Sequence, residues 1–164
     1  MSGMNQCVLD VAASLDDEHV AATSIDSNRI QLYRTKTTTR IEQYSGHTDL
    51  VTSVRFNYNK KSLISASNDK TIRNWDISTG QHTSTTVPVR INNVDLSMSE
   101  TIMATTHMKD MKFWNMSAGK AQMIHTLPNA HRDEVTCARF TTDERYVVST
   151  GQDHIVKVWD VRTW

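Results

Sequence analysis

An internal repeat of about forty residues constrains this chain more than any other sequence feature. The segment from Gly46 to Asp76 recurs between Ala130 and Asp160, with the same order of histidine, apolar runs, aspartate and Trp-Asp pair. In both copies the tryptophan stands 28 residues after the histidine and 6 residues after the aspartate. A unit of this length cannot bury its apolar face alone, so neighbouring copies must stack to form a core.

Two weaker copies occupy the remaining sequence, one before each strong copy. The aromatic anchors of the four copies are spaced by 42, 39 and 45 residues, and they are Tyr33, Trp75, Trp114 and Trp159. Each interval is within or close to the ~40–45 residues of one four-stranded propeller blade. We therefore predict a single repeat region over residues 1–164, with blades at approximately 7–44, 45–86, 87–128 and 129–164.

The local pattern within each copy favours strands. Short apolar and β-branched runs alternate with turns rich in Asp, Asn, Ser and Gly. No stretch shows the 3.6-residue periodicity of an amphipathic helix. The predicted fold is therefore all-β.

Composition restricts the possible functions. Lysine plus arginine and aspartate plus glutamate both total 18, so no net field favours nucleic acid or an anionic membrane. No stretch approaches the ~20 apolar residues that span a bilayer, so we expect no direct membrane insertion. Cys7 and Cys137 have no paired-cysteine motif around them, and no histidine has a ligand partner at metal spacing. We expect an intracellular protein without metal or cofactor, in the cytoplasm or alternatively the nucleus.

The two strong copies resemble WD-repeat signatures, and the resemblance covers nearly the whole chain. It implies β-propeller blades, each tied together by a buried hydrogen-bond relay of histidine, serine, aspartate and tryptophan. The matching residues are His47, Ser65, Asp69 and Trp75 in one copy, and His131, Ser149, Asp153 and Trp159 in the other. The resemblance also implies a non-catalytic scaffold or adaptor that binds other proteins.

A Ser/His/Asp hydrolase is the alternative interpretation of these side chains, because a histidine oriented by aspartate can activate a serine hydroxyl. The trio, however, occurs twice at the same repeat offsets. Neither copy has a Gly-rich nucleophile turn that would expose the serine and build an oxyanion hole. A buried polar set whose donors and acceptors satisfy one another explains the spacing more simply, so we predict no catalytic residues.

The two weaker copies depart from the signature. In the third copy, Ala104 and Met108 stand at the positions assigned to the serine and the aspartate. In the first copy, Thr23 is retained, Ser27 stands at the aspartate position and Tyr33 replaces the tryptophan. We expect both blades to lack the relay and to depend more on apolar packing.

Two narrower resemblances suggest what the scaffold binds. The 42 and 39 spacings and the run from Lys112 to Asn115 make the pattern similar to the C-terminal propeller of autophagy-related sixteen-like proteins, which implies a partner-binding role in autophagy. Alternatively, the run Trp159-Asp160-Val161-Arg162 resembles WD proteins that dock on the adaptor of cullin-type ubiquitin ligases. That resemblance implies a substrate receptor with Asp160 and Arg162 at the contact.

The number of copies suggests an incomplete propeller. The resembled family usually has about seven blades, so four copies are too few for its usual ring, although propellers of 4–8 blades exist. The last copy stops after its third strand unless residues 1–6 supply the fourth. We expect a fragment or short isoform of a longer propeller, or self-association through the open apolar faces of the first and last blades.

Overall fold

A computed structural model of the protein describes residues 7–58, 61–117 and 121–163. Within these ranges the regular structure is β-strand, with no helix of any kind and hence none able to cross a membrane. The strands form four antiparallel sheets, two in each of two compact units, Met1–Pro88 and Val89–Trp164. The predicted all-β fold of four repeats is confirmed.

The first unit holds two four-stranded sheets whose strands pair in chain order. Sheet 1 consists of β1 (Val8–Ala13), β2 (His19–Ser24), β3 (Arg29–Arg34) and β4 (Thr39–Ser45). Sheet 2 consists of β5 (Val51–Phe56), β6 (Ser62–Ser67), β7 (Thr71–Asp76) and β8 (His82–Thr86). Because side chains alternate along a strand, Ile30 and Leu32 of β3 share one face, which packs in a common core with Trp75 of β7.

The second unit holds a four-stranded sheet and a sheet with three described strands. Sheet 3 consists of β9 (Asn93–Leu96), β10 (Ile102–His107), β11 (Asp110–Asn115) and β12 (Gln122–Leu127). Sheet 4 consists of β13 (Val135–Phe140), β14 (Tyr146–Gly151) and β15 (Val156–Asp160). Phe113 of β11 packs in one core with Ala138 and Val147 of sheet 4. Residues 1–6, which the sequence suggested as a fourth strand here, lie outside the described residues.

A polar clasp joins the two sheets of the first unit at their first strands. Asp10 of β1 places its Oδ2 2.8 Å from the Ser53 Oγ, 3.1 Å from the Val54 backbone N and 2.8 Å from the Arg55 Nη1. All three groups donate to one carboxylate oxygen. The Asp10 side chain is largely shielded from solvent, so these three donors replace the hydrogen bonds that water would otherwise make to this oxygen.

The second unit repeats this clasp with an amide in place of the carboxylate. Asn93 of β9 accepts hydrogen bonds through its Oδ1 from the Ala138 backbone N (3.3 Å) and the Arg139 Nη1 (2.5 Å). Strand pairing places Asn93 at the position that Asp10 holds in sheet 1. Asp10 pairs with Thr23 and Asn93 pairs with Thr106, and each partner is the next-to-last residue of its strand. The two clasps therefore place the acceptor at the same position, but the acceptor is a carboxylate in one and a neutral amide in the other.

Candidate functional site

The four predicted relay residues of sheet 2 form one continuous hydrogen-bond chain. The Trp75 Nε1 lies 2.8 Å from the Ser65 Oγ, which lies 2.7 Å from the His47 Nε2. On the other side of the ring, the His47 Nδ1 lies 2.8 Å from the Asp69 Oδ2. Because Trp75 can only donate, the Ser65 hydroxyl accepts from the indole and donates to the Nε2 of His47, and the Nδ1–H of His47 donates to the carboxylate.

The predicted set in sheet 4 has the same arrangement. The Trp159 Nε1 lies 2.9 Å from the Ser149 Oγ, the Ser149 Oγ lies 2.8 Å from the His131 Nε2, and the His131 Nδ1 lies 2.9 Å from an Asp153 oxygen. The histidine comes from the loop before the first strand, the serine from the second strand, and the aspartate from the turn before the third. Each relay therefore ties three segments of one blade together.

Burial fixes the protonation states in the sheet 2 relay. The His47 side chain is fully buried, and burial lowers its pKa, so the ring is neutral near pH 7. Burial alone would raise the pKa of Asp69, but hydrogen bonds from Thr71, His47 and the backbone of Thr48 together lower it to about 2. A neutral ring that donates to an ionised carboxylate satisfies both groups.

The third blade has a relay of its own, contrary to the expectation that it lacks one. The Trp114 Nε1 lies 2.8 Å from the Thr105 Oγ1, which lies 2.7 Å from the His107 Nε2. The His107 Nδ1 donates to the backbone oxygen of Arg90 at 3.1 Å. Strand pairing shows that Thr105, not Ala104, occupies the serine position, because Thr105 pairs with Lys112 as Ser65 pairs with Arg73.

A short turn explains the wrong alignment. Three residues separate β6 from β7, whereas only Met108 and Lys109 separate β10 from β11. Met108 is exposed and does not replace the aspartate, because the backbone carbonyl of Arg90 accepts the hydrogen bond from the histidine instead. Counting residues back from the tryptophan therefore misplaced the hydroxyl by one position.

The ring of His107 enters the relay from a different direction than the ring of His131. His107 ends β10 at the position that Gly151 holds at the end of β14. A Cβ atom on Gly151 would lie 2.7 Å from the His131 Nδ1, so in sheet 4 a side chain at this position would have to displace the loop histidine. In sheet 3 the strand itself supplies the ring. Burial lowers the pKa of His107 to about 4.

The first blade has no comparable relay among the described residues. Strand pairing places Ala22, not Thr23, at the serine position. Ala22 pairs with the residue two positions before Tyr33, as Ser65 pairs with the residue two positions before Trp75. The buried hydroxyl of Thr23 has no hydrogen-bond partner among the residues that the structure describes. The placement of Thr23 at the serine position is therefore wrong.

Asp160 and Arg162, the predicted adaptor contact, lie next to each other at the end of β15. The Arg162 backbone N lies 2.9 Å from the Asp160 Oδ1, and its Nη2 lies 3.3 Å from the Asp160 Oδ2. The Arg162 side chain is 63% exposed. An exposed pair of this kind contributes little to stability, so the guanidinium is free to exchange Asp160 for another carboxylate.

Several important residues lie outside the sequence-predicted set. They are the clasp pairs Asp10 with Arg55 and Asn93 with Arg139, and the relay histidine His107. The available signal for the clasps was the Arg-Phe pair in the first strand of both strong copies, which supplies the arginine donor of each clasp. In the part of the chain that the structure describes, no group of three or more His, Cys, Asp or Glu side chains is placed to hold a metal ion.

Comparison with known proteins assigns the class. The family model described as "WD domain, G-beta repeat" matches residues 38–76 and 121–160, the two segments that contain the predicted relays. With four blade-like sheets and relays at the predicted positions, the chain belongs to the WD-repeat β-propeller proteins.

Individual relatives cover almost the entire chain. Protein tipD of Dictyostelium discoideum is 28% identical over 99% of this chain and 26% of its own length. Autophagy-related protein 16 of Arabidopsis thaliana is 28% identical over 95% of the chain and 30% of its own length. The WD repeat-containing protein 89 homolog of Dictyostelium discoideum is 29% identical over 94% and 42%, respectively. The chain thus spans less than half the length of each of these relatives.

Proposed function

We propose that this chain is a non-catalytic scaffold that binds other proteins. The observation that carries the proposal is that the serine hydroxyl of each Ser/His/Asp set is buried and already hydrogen-bonded. The Ser65 and Ser149 side chains are buried, and each hydroxyl oxygen already binds an indole N–H and a histidine. A substrate carbonyl would have to displace the tryptophan before either serine could attack it. The relays therefore hold the loops of a rigid support, on which binding residues are usually found.

Labelling with a fluorophosphonate probe tests the non-catalytic part of the proposal. We expect no modified serine in the native protein, because neither hydroxyl is accessible. A known serine hydrolase treated in parallel controls for probe activity. Labelling that Ser65→Ala or Ser149→Ala removes would contradict the proposal and support the hydrolase alternative.

The binding role that we propose is that of the partner-binding propeller of an autophagy-related protein. The support is similarity to Autophagy-related protein 16 over 95% of the chain, together with the anchor spacings of the repeats.

A segment exchange tests the autophagy role. The matching segment of the Arabidopsis protein is replaced by this chain, and autophagic flux is measured in plants that lack the native protein. We expect the exchanged protein to restore flux and a protein without the segment to fail. A stable exchanged protein at normal abundance that restores no flux would contradict the autophagy role while leaving a scaffold function for other partners.

A second candidate function, substrate receptor of a cullin-type ubiquitin ligase, is supported by the exposed head of Arg162 beside Asp160. Arginine suits such a contact because its planar head offers five donors. We expect Arg162→Ala to abolish co-precipitation with the ligase adaptor. The matched control is Arg34→Ala, which removes an exposed arginine from the other unit. Equal capture by both variants and the native chain would exclude Arg162 as the contact.

Self-association through open blade faces is supported by exposed valines on the first and last sheets. Val11 of β1 and Val158 of β15 are 57% and 63% exposed. We expect Val11→Asp and Val158→Asp each to reduce any oligomer seen by analytical ultracentrifugation, because a charge on an apolar contact is costly. An oligomer that neither variant weakens would contradict contact through these faces.

A further inference from the structure

The outer strands of the three four-stranded sheets differ in how they protect their free edges. In sheet 1, β4 carries the charged residues Arg40 and Glu42. In sheet 2, β8 reads His-Thr-Ser-Thr-Thr and has no apolar side chain. In sheet 3, β12 contains no Asp, Glu, Lys or Arg, and it exposes two large apolar side chains, Met123 (54%) and Ile124 (48%). Charges on an edge strand normally prevent pairing with another chain.

A bulge places these two apolar side chains side by side. Phe113 pairs with His125 and Trp114 pairs with Met123, so Ile124 is the extra residue of β12. A bulge leaves the extra residue unpaired and interrupts the alternation of side chains, and here both Met123 and Ile124 are exposed. The outer strand of sheet 1 has a bulge of the same kind at Ile41, but there the flanking residues are the charged Arg40 and Glu42. The apolar pair at a free edge is therefore specific to β12 within the described outer strands.

We propose that the outer edge of β12 binds an extended, uncharged segment of a partner protein, which adds to sheet 3 as a further strand. The order β12-β11-β10-β9 leaves the outer side of β12 unpaired within its sheet, so its backbone N–H and C=O groups offer the main-chain hydrogen bonds of strand addition. This inference rests on the proposed scaffold function and names one surface that performs it.

The side chains of β12 define the chemistry of the segment. Met123 and Ile124 offer an apolar contact, and methionine adapts its shape to different partners. No side chain of β12 offers a charge to pair with a charged segment, and a charge brought against this pair would lose hydration without compensation. The segment that fits is therefore extended, without acidic or basic residues, and apolar where it faces Met123 and Ile124.

A peptide of this chemistry tests the edge directly. The probe is an acetylated and amidated peptide with the sequence of residues 121–127, which is uncharged except for its histidine and is itself able to form a strand. Titration into the full chain is followed by amide chemical shifts and by calorimetry. We expect shifts centred on β12 and β11, and no binding of a peptide whose alternate amides are N-methylated, because N-methylation removes the main-chain donors.

Two lysine substitutions at bulge positions provide the matched variants. Ile124→Lys should weaken peptide binding by about tenfold or more, because it places a charge in the apolar contact. Ile41→Lys on β4 makes the same change at the other bulge and should leave binding unchanged. Met123→Lys provides a second variant in β12 should Ile124→Lys alter the circular dichroism spectrum.

Four outcomes would overturn the proposal. They are no binding at about 1 mM peptide, shifts centred elsewhere, equal binding by the native chain and both β12 variants, and a dimer of the chain itself that Ile124→Lys abolishes. The last would assign the edge to a second copy. If the peptide fails to bind while the segment exchange restores autophagic flux, the edge site is contradicted and the scaffold function is still supported.

Discussion

His107 hydrogen-bonds to Thr105 on its own strand, with its Nε2 2.7 Å from the threonine Oγ1. The two residues share a face because they are two positions apart in β10. We expect His107→Ala to lower the free energy of unfolding by about 1–3 kcal/mol, since it removes the acceptor of a buried hydroxyl. Chemical denaturation measures the loss, and His47→Ala should have a comparable effect. A large effect of His47→Ala alone would show that the third blade does not depend on its relay.

The low pKa of His107 predicts loss of stability on acidification. Its pKa of about 4 in the folded protein lies below the ordinary histidine value of 6.5, so the unfolded chain binds the proton more readily. The stabilising contribution is complete above pH 6.5 and is lost as the pH falls from 6.5 to about 4. The shift corresponds to about 3 kcal/mol. We expect His107→Gln to show a shallower decline over this range in urea denaturation. Parallel pH profiles of the two proteins would contradict the assignment.

Gly151→Ala tests whether the fourth blade requires the space beside His131. The added Cβ would lie 2.7 Å from the His131 Nδ1 and 2.9 Å from the Asp153 Oδ1, so we expect a loss of about 1–3 kcal/mol. Gly80→Ala is the matched control, because Gly80 has a φ of +69° but open space around it. Both variants should be destabilised, but only Gly151→Ala should shift the indole N–H resonance of Trp159. An unchanged resonance in Gly151→Ala would show that the relay adapts.

The two clasps predict an asymmetric result at Asp10. Because Asn93 forms the equivalent clasp with an amide, Asp10→Asn should retain most of the stability, whereas Asp10→Ala should lose about 1–3 kcal/mol. A double-mutant cycle with Arg55→Ala isolates the coupling between Asp10 and Arg55. Equal losses from the asparagine and alanine variants would show that the negative charge itself is required.

Relay residues could be predicted from the sequence where two copies have the same spacing. They could not be predicted where a turn of one copy differs in length. His47 and His131 could be placed because the offsets of 28 and 6 residues occur twice. Thr105 was missed because the turn after β10 is shorter, and a shift of one residue moves a side chain to the other face of a strand.

Contacts between copies were harder to predict than contacts within one. Asp10 and Arg55 are 45 residues apart and belong to different sheets, so no pattern within a single copy pairs them. His107 could not be assigned to the relay from spacing, because it lies in a strand, whereas His47 and His131 lie in loops. Both cases depend on packing geometry, which a linear offset does not contain.

The hydrogen bond from Trp75 to the Ser65 hydroxyl also matters when enzymes are identified by matching the geometry of catalytic residues. A template search that scored only the serine, histidine and aspartate distances would retrieve this chain twice as a hydrolase. The distinguishing coordinate is a fourth atom, the Nε1 of Trp75, which lies 2.8 Å from the oxygen that a nucleophile would use. A template that also required this oxygen to be free of an indole N–H would reject both sets, because the Nε1 of Trp159 lies 2.9 Å from the Ser149 oxygen in the same way.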